Sequence, residues 1–246
     1  MMSCRFAVPR ALAAVPIVLS MGLAAGAQSL SVLPVNVLMA PGQRASSLTV
    51  TNQGTSKTSI QIRAFAWNQD GDQDVLTPSD LVVVSPPLAT LAPGASQVVR
   101  LILRQAPAAR ESTYRIILDQ IPPPAEPGVV HVVLRLSIPI FAQPGSRVNP
   151  DVQFHLEDKD GALYLVGINN GRRHLAVRQI ELTTSDGRKL TSASGSSPYV
   201  LAGVTRHWKI DAPGDSVPLP PNQKLQLKAQ SDTGAIEQQV SVVGAP

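Results

Sequence analysis

Val129-Val130-His131-Val132-Val133-Leu134-Arg135-Leu136-Ser137-Ile138-Pro139-Ile140-Phe141 is the stretch on which the fold turns. Its even positions, Val130, Val132, Leu134, Leu136, Ile138 and Ile140, are all large and apolar. Its odd positions mix apolar residues with His131, Arg135, Ser137 and Pro139. A period of two means a β-strand, because successive side chains leave a strand on opposite faces. The run is about twice the usual strand length. A central core strand covered on both faces suits its later half. Pro139 opposes full pairing, since it cannot donate to a ladder. A long apolar edge is an aggregation hazard that proteins suppress, so leaving one open makes sense where another chain completes it.

The same reading extends in both directions. Ser47–Thr51 alternates and meets a turn at Asn52-Gln53-Gly54; residues 60–67 alternate and break at Asp70-Gly71. Further β-rich runs are Leu81–Val84, Gln97–Leu103 and Tyr114–Leu118, and the 22 prolines exclude long helices. Gln143-Pro144-Gly145-Ser146 ends the long strand and a fresh series opens near Asp151. It runs through Val152–Leu156, Leu163–Ile168, Val177–Thr183, Arg206–Ile210, Leu225–Ala229 and Glu237–Val243, with turns at Asp160-Gly161, Asn169-Asn170-Gly171 and Asp186-Gly187. Each half holds about seven strands in about 100 residues, the dimensions of an immunoglobulin-like sandwich. The expected fold is all-β: two such domains, residues 28–143 and 144–246, meeting at an angle with an interdomain cleft.

The first 27 residues read as a secretion leader. Arg5 and Arg10 precede an apolar stretch from Ala11 to Ala25, and Ala25-Gly26-Ala27 supplies the small residues for cleavage before Gln28. That stretch contains Pro16 and is short for a span of about 20 residues. Cys4, the sole cysteine, lies within the leader, so the exported chain stands without disulfides. Removing Arg5 and Arg10 with the leader leaves 19 basic against 17 acidic residues. With no Lys/Arg stripe and few aromatics, the composition argues against a nucleic-acid partner.

No chemistry assembles. His131, His155, His174 and His207 lack ligand-like spacing and read as structural. Asp70-Gly71-Asp72-Gln73-Asp74 resembles a calcium loop, but lacks the glycine at the sixth position and has Leu81 where a bidentate glutamate belongs; it reads as a hairpin turn. Ser216, in Gly214-Asp215-Ser216, sits among prolines rather than at a strand-to-helix elbow. The expectation is a protein that is not an enzyme, with no cofactor, no metal and no small-molecule substrate.

The order and spacing of several motifs resemble the periplasmic chaperones of chaperone–usher pilus assembly. They are Pro86-Pro87-Leu88-Ala89-Thr90-Leu91-Ala92-Pro93-Gly94, then Val99-Arg100-Leu101, then Glu111-Ser112-Thr113-Tyr114-Arg115 through Pro123, and the long strand itself. The second half resembles them more loosely, through Asn169-Asn170-Gly171 and Tyr199–Trp208. The resemblance implies a periplasmic protein that binds pilin subunits by lending them its apolar strand, through Val130, Val132, Leu134 and Leu136, and passes them to an outer-membrane usher. It leaves open whether the free protein self-associates. Members of that family hold the subunit's terminal carboxylate with two cations, whose places fall here on Asn36 and Pro139. That departure, with Ser137-Ile138-Pro139-Ile140-Phe141 and Tyr114-Arg115, is closer to the archaic, spore-coat-like branch. It leaves Arg115, and after it Arg63, as candidate anchors. The competing reading is a secreted pilus or surface subunit, against which stand two complete domains and only a few residues before the first strand.

N-terminal sequencing of exported protein should therefore begin at Gln28, and reductant should leave its Tm unchanged; retained Met1 or a reductant-sensitive Tm contradicts the leader assignment.

Overall fold

The structure, a computed structural model, describes residues 30–124, 127–128, 131–159, 161–193, 195, 197–211 and 220–243. The leader, Val129, Val130 and Ser216 lie outside the described residues. Those described form β-strands and connections without any helix, and none could cross a membrane as one.

The first half contains β1 (Leu30–Leu33), β2 (Val37–Met39), β3 (Ala45–Asn52), β4 (Thr58–Asp70), β5 (Gln73–Pro78), β6 (Val82–Ser85), β7 (Leu88–Leu91), β8 (Ser96–Leu103), β9 (Ser112–Ile121) and β10 (Arg135–Ala142). One sheet has the order β1-β3-β8-β6; the facing sheet has the order β2-β10-β9-β4-β5, with β7 also on β4. Alternate residues of both sheets, among them Leu48, Val50, Leu101, Ile116, Leu118, Ile138 and Ile140, close a single core. Gly71 at φ 58° makes the tight β4–β5 turn, so the Asp-rich segment is a hairpin tip.

The second half contains β11 (Val152–Lys159), β12 (Ala162–Asn169), β13 (Leu175–Thr183), β14 (Lys189–Ser192), β15 (Tyr199–Val200), β16 (Thr205–Asp211), β17 (Lys224–Ser231) and β18 (Gly234–Val243). Here β14-β16-β12-β11-β18-β17-β13 runs back to β14, a closed circuit. The parallel β11–β18 contact, Leu156 opposite Val242, completes it around a core holding Trp208, Leu165 and Leu227. Among the described residues that circuit is joined by only two residue pairs at β11–β18 and two at β14–β16, so it shortens the free sheet edges of the second sandwich without removing them.

Both halves use one turn device. Asn52 and Asn169 are each buried, each accepting the N–H of the glycine two residues on at 3.0 Å. Each amide nitrogen donates to neighbouring main-chain carbonyls. The short Asn side chain mimics a backbone turn, which is why Asn52-Gln53-Gly54 and Asn169-Asn170-Gly171 end strands at corresponding places.

The long strand is shorter than its sequence suggests. It begins at Arg135 rather than Val129, and His131–Leu134 are described but unpaired as strand. Periodicity is satisfied there, but among the described residues regular pairing with β9 does not continue past Arg135↔Asp119, and strand structure needs main-chain partners as well as alternation. Leu118→Ala, deep in the first core, should cost about 2–5 kcal/mol. By contrast Val132→Ser, at 82% exposure, should stay within about 0.5 kcal/mol. Urea unfolding of the two variants measures the contrast.

Candidate functional site

The site is the β10 edge and the face beside it. β10 runs antiparallel to β9 in the register Arg135↔Asp119 through Ala142↔Ser112. Its other side is taken by β2 only at Ile140–Ala142, in parallel. Among the described residues no strand flanks Arg135–Pro139 on that side, because Leu33–Asn36 turn away to join β1 in the opposite sheet. Gln120 N–H donates to the Leu134 carbonyl at 2.9 Å. Alternation along an antiparallel ladder therefore gives β9 the even residues and points the main-chain groups of Arg135, Ser137 and Pro139 outward. Pro139 thus costs the β9 ladder nothing, since its missing N–H lies on the open side. Asn36 and Pro139 sit side by side just before the β2–β10 pairing starts at Val37↔Ile140.

The even row leaves the core in steps. Ile140 is fully buried and Ile138 nearly so; Leu136 and Leu134 are half-buried; Val132 stands 82% exposed. Three of the four proposed donor residues therefore lie on one line from core to solvent, with Val130 outside the described residues.

The odd row carries charge. Asp119 on β9 accepts from Arg63 at 2.6 Å and from Arg135 at 2.5 Å, one guanidinium on each carboxylate oxygen. Burial tends to raise the Asp119 pKa, but the bonds and charges of Arg135 and Arg63 outweigh it and hold the carboxyl below its usual value. Two cations share one anion here, so the exposed end of β10 is net positive.

Arg115 sits opposite Pro139 in register, but its guanidinium is aimed elsewhere. It lies 3.7 Å from the Trp67 ring centroid and donates to Asp74 at 3.1 Å, over β4 and toward β5. Its side chain is only 11% exposed. Burial pushes its pKa down, opposed by Asp74 and Tyr199, though a guanidinium keeps its charge regardless. Arg206 of the second sandwich, also lowered chiefly by burial, approaches the same Asp74 at 3.7 Å.

These residues belong to the seam between sandwiches. Trp67 and Phe141 from the first pack with Ala176, Tyr199 and Leu201 from the second. Gln69 accepts from Leu201 N–H at 3.0 Å and donates to the Tyr199 carbonyl at 2.9 Å. Buried Glu111 accepts from His174 twice, from its main-chain N–H at 2.9 Å and from Nδ1 at 2.6 Å, while the His174 ring stacks on Phe141 at 3.6 Å. A cleft of about 550 Å³ opens along this seam beside Trp67, Glu111, Tyr114 and Leu201. Sequence reading left His174 as structural but missed its partner, and it missed Gln69 and Gln120. Polar residues interrupting an apolar row were the available signal. Among the described residues no group of three or more metal-binding side chains assembles.

Residues 29–147 match the family described as "Pili and flagellar-assembly chaperone, PapD N-terminal domain". Over 119 residues the chain is 29% identical to the chaperone protein FimB/FhaD of Bordetella pertussis. That match takes in 45% of this chain and 47% of the relative, so it spans about half the relative's length. Among solved structures, the fold is similar to the CsuC–CsuE chaperone–tip adhesion subunit complex from archaic chaperone–usher Csu pili of Acinetobacter baumannii. There the TM-score is 0.64 and identity 22%, covering 89% of this chain and 100% of that one. It is similar also to the Salmonella enterica SafA pilin–SafB chaperone complex, with TM-score 0.58, identity 15% and coverage of 88% and 96%.

Because Asp119 has a depressed pKa when folded, its contribution to stability is present above the ordinary carboxylate range and lost as pH falls through the lowered value. Asp119→Asn should therefore flatten the acid limb of stability between about pH 2 and 5 relative to the parent, as read by urea unfolding across that range.

Proposed function

We propose that this chain, whose residues 29–147 match the PapD-type chaperone N-terminal domain family, is a periplasmic chaperone that lends a strand to pilus subunits and delivers them to an outer-membrane usher. Chaperone–pilin complementation is itself a type case of strand addition, so the mode comes with the family. What this chain adds is a place for it. The single observation that carries the reading is the half-open β10: main-chain groups of Arg135 and Ser137 on an edge that no strand flanks among the described residues, continuing an apolar row that leaves its own core.

The residues proposed to enter the subunit are Val130, Val132, Leu134 and Leu136. Fully burying a large apolar side chain gives roughly 1.5–3 kcal/mol. Leu134 and Leu136 are already half-buried, so each has about half of that left to gain. Association costs offset much of the total, which suits a complex that must later be dismantled. An added strand occupies the same edge as β2 and ends near Asn36. The leader at 1–27 and the division at residue 143 belong to the same reading.

A carboxylate anchor at Arg115 requires the guanidinium to leave Asp74 and Trp67 and reach back across β10, about 10 Å or two strand spacings from its own strand. Arg63 is engaged with Asp119 at the exposed end instead. Two experiments test these roles. Val132→Asp or Leu134→Asp should leave a folded protein that no longer captures subunits, since a charge would enter an apolar groove; unchanged capture on periplasmic co-expression contradicts strand donation. If Arg115 anchors the subunit, Arg115→Ala lowers subunit affinity well beyond Arg135→Ala; equal affinities assign Arg115 to the seam alone.

A further inference from the structure

We propose that Gln120 is the positioning residue that sets where β10 parts from β9 and fixes the register of the segment offered to the partner. This rests on the strand-donation reading above. The inward row of β9 is Tyr114, Ile116 and Leu118, all in the first core, and then Gln120. An apolar residue at 120 would continue that pattern. The polar substitution falls opposite Leu134, one pair beyond the N-terminal end of β10, which starts at Arg135 opposite Asp119.

The contacts at this position are specific. Gln120 main-chain N–H donates to the Leu134 carbonyl at 2.9 Å, an ordinary rung of the ladder. The return bond of that rung should run from Leu134 N–H to the Gln120 main-chain carbonyl. Instead Leu134 N–H donates to the Gln120 side-chain oxygen, at 3.2 Å. The same amide donates from Nε2 to the Thr58 hydroxyl on β4 at 3.0 Å, and both side chains are buried. A side chain tethered to β4 has thus taken the place of main chain as acceptor. Beyond that substitution, His131–Val133 are described without strand pairing to β9.

Two consequences follow for a donated strand. A segment inserted between two strands of a partner needs both of its edges, and among the described residues His131–Val133 pair with no strand on either side. The two-point bond to Leu134 also pins one named residue, so the row cannot slip. A slip of one residue would turn Val132 and Leu134 to the wrong face. With Asn36 and Pro139 at the places of the family's cations, this neutral amide supplies a register mark that charge does not.

The test uses the full exported protein, with a pilus subunit lacking its N-terminal extension, from the same organism's chaperone–usher system, as the probe. In Gln120→Met the Leu134 amide should exchange with solvent about tenfold faster, and subunit affinity should fall about tenfold, the scale of losing one buried hydrogen bond. Gln120→Glu keeps the acceptor, with the Thr58 hydroxyl turned to donate, and should hold affinity within about twofold of the parent. A purely structural role would lower Tm in both variants and leave the Leu134 exchange pattern alone. Gln120→Met with parental exchange and affinity overturns the proposal, as does equal loss in the Glu and Met variants. Should Gln120→Met not fold, Thr58→Val, which frees the amide from β4, carries the same expectation and the same refutation. Val132→Asp is the control: its loss of capture beside a parental Gln120→Met refutes only the fork, whereas parental capture by Val132→Asp refutes strand donation itself.

Discussion

One strand has to be held rigidly at one end and left unsatisfied at the other. The C-terminal half of β10 is gripped on both faces. Ile138 and Ile140 are sunk in the first core, and Phe141 on the opposite face is stacked on His174 and packed with Trp67 and Tyr199 in the seam. Toward its N-terminal half the grip loosens: Leu136 is only partly buried against the first core, and Arg135 and Ser137 are exposed. An apolar strand presented this way keeps an extended backbone without paying for its own solvation by collapse, because its continuation is fixed. Pre-organisation of this kind lets a short row of side chains bind usefully despite the entropy of association.

The second sandwich serves that constraint by being closed and by being docked. Its circuit of paired strands is closed by short contacts of two residue pairs at β11–β18 and at β14–β16. Its contacts with the first are of two kinds: an apolar cluster around Trp67, Phe141 and Tyr199, and polar clamps through Gln69 and the Glu111–His174 pair. Breaking either clamp would leave a buried polar group unpaired, which costs more than the bond itself gains. The angle between sandwiches is thereby held by the same residues that hold the end of β10, and Arg115 on Trp67 and Asp74 fits this bracing better than it fits a hand extended to the partner.

Much of the fold was legible because faces follow from periodicity. The alternation in residues 60–67, the Asn-X-Gly turns and the even row from Val132 to Ile140 all report which way side chains point. Pro139 was legible as a sign of an open edge, and it lies on the outward side. Partners were less legible, because period two is silent about what pairs with what. Nothing near Leu134 announces that its N–H meets a side chain on a strand fourteen residues earlier. Nothing near Arg115 announces Asp74, forty-one residues away, and the parallel contact that closes the second sandwich joins strands from its two ends. The missing cations at Asn36 and Pro139 were visible only through resemblance to a family, and what replaces them depends on contacts of this long-range kind.

The central claim is that the free edge of β10 is completed by a partner's strand. Amide hydrogen exchange at Arg135 and Ser137, measured residue by residue with and without a bound pilus subunit, tests it most directly. Both N–H groups point away from β9, so they should exchange freely in the protein alone and become strongly protected in the complex. Unchanged exchange at Arg135 and Ser137 in a demonstrably formed complex would place the subunit elsewhere and contradict the account.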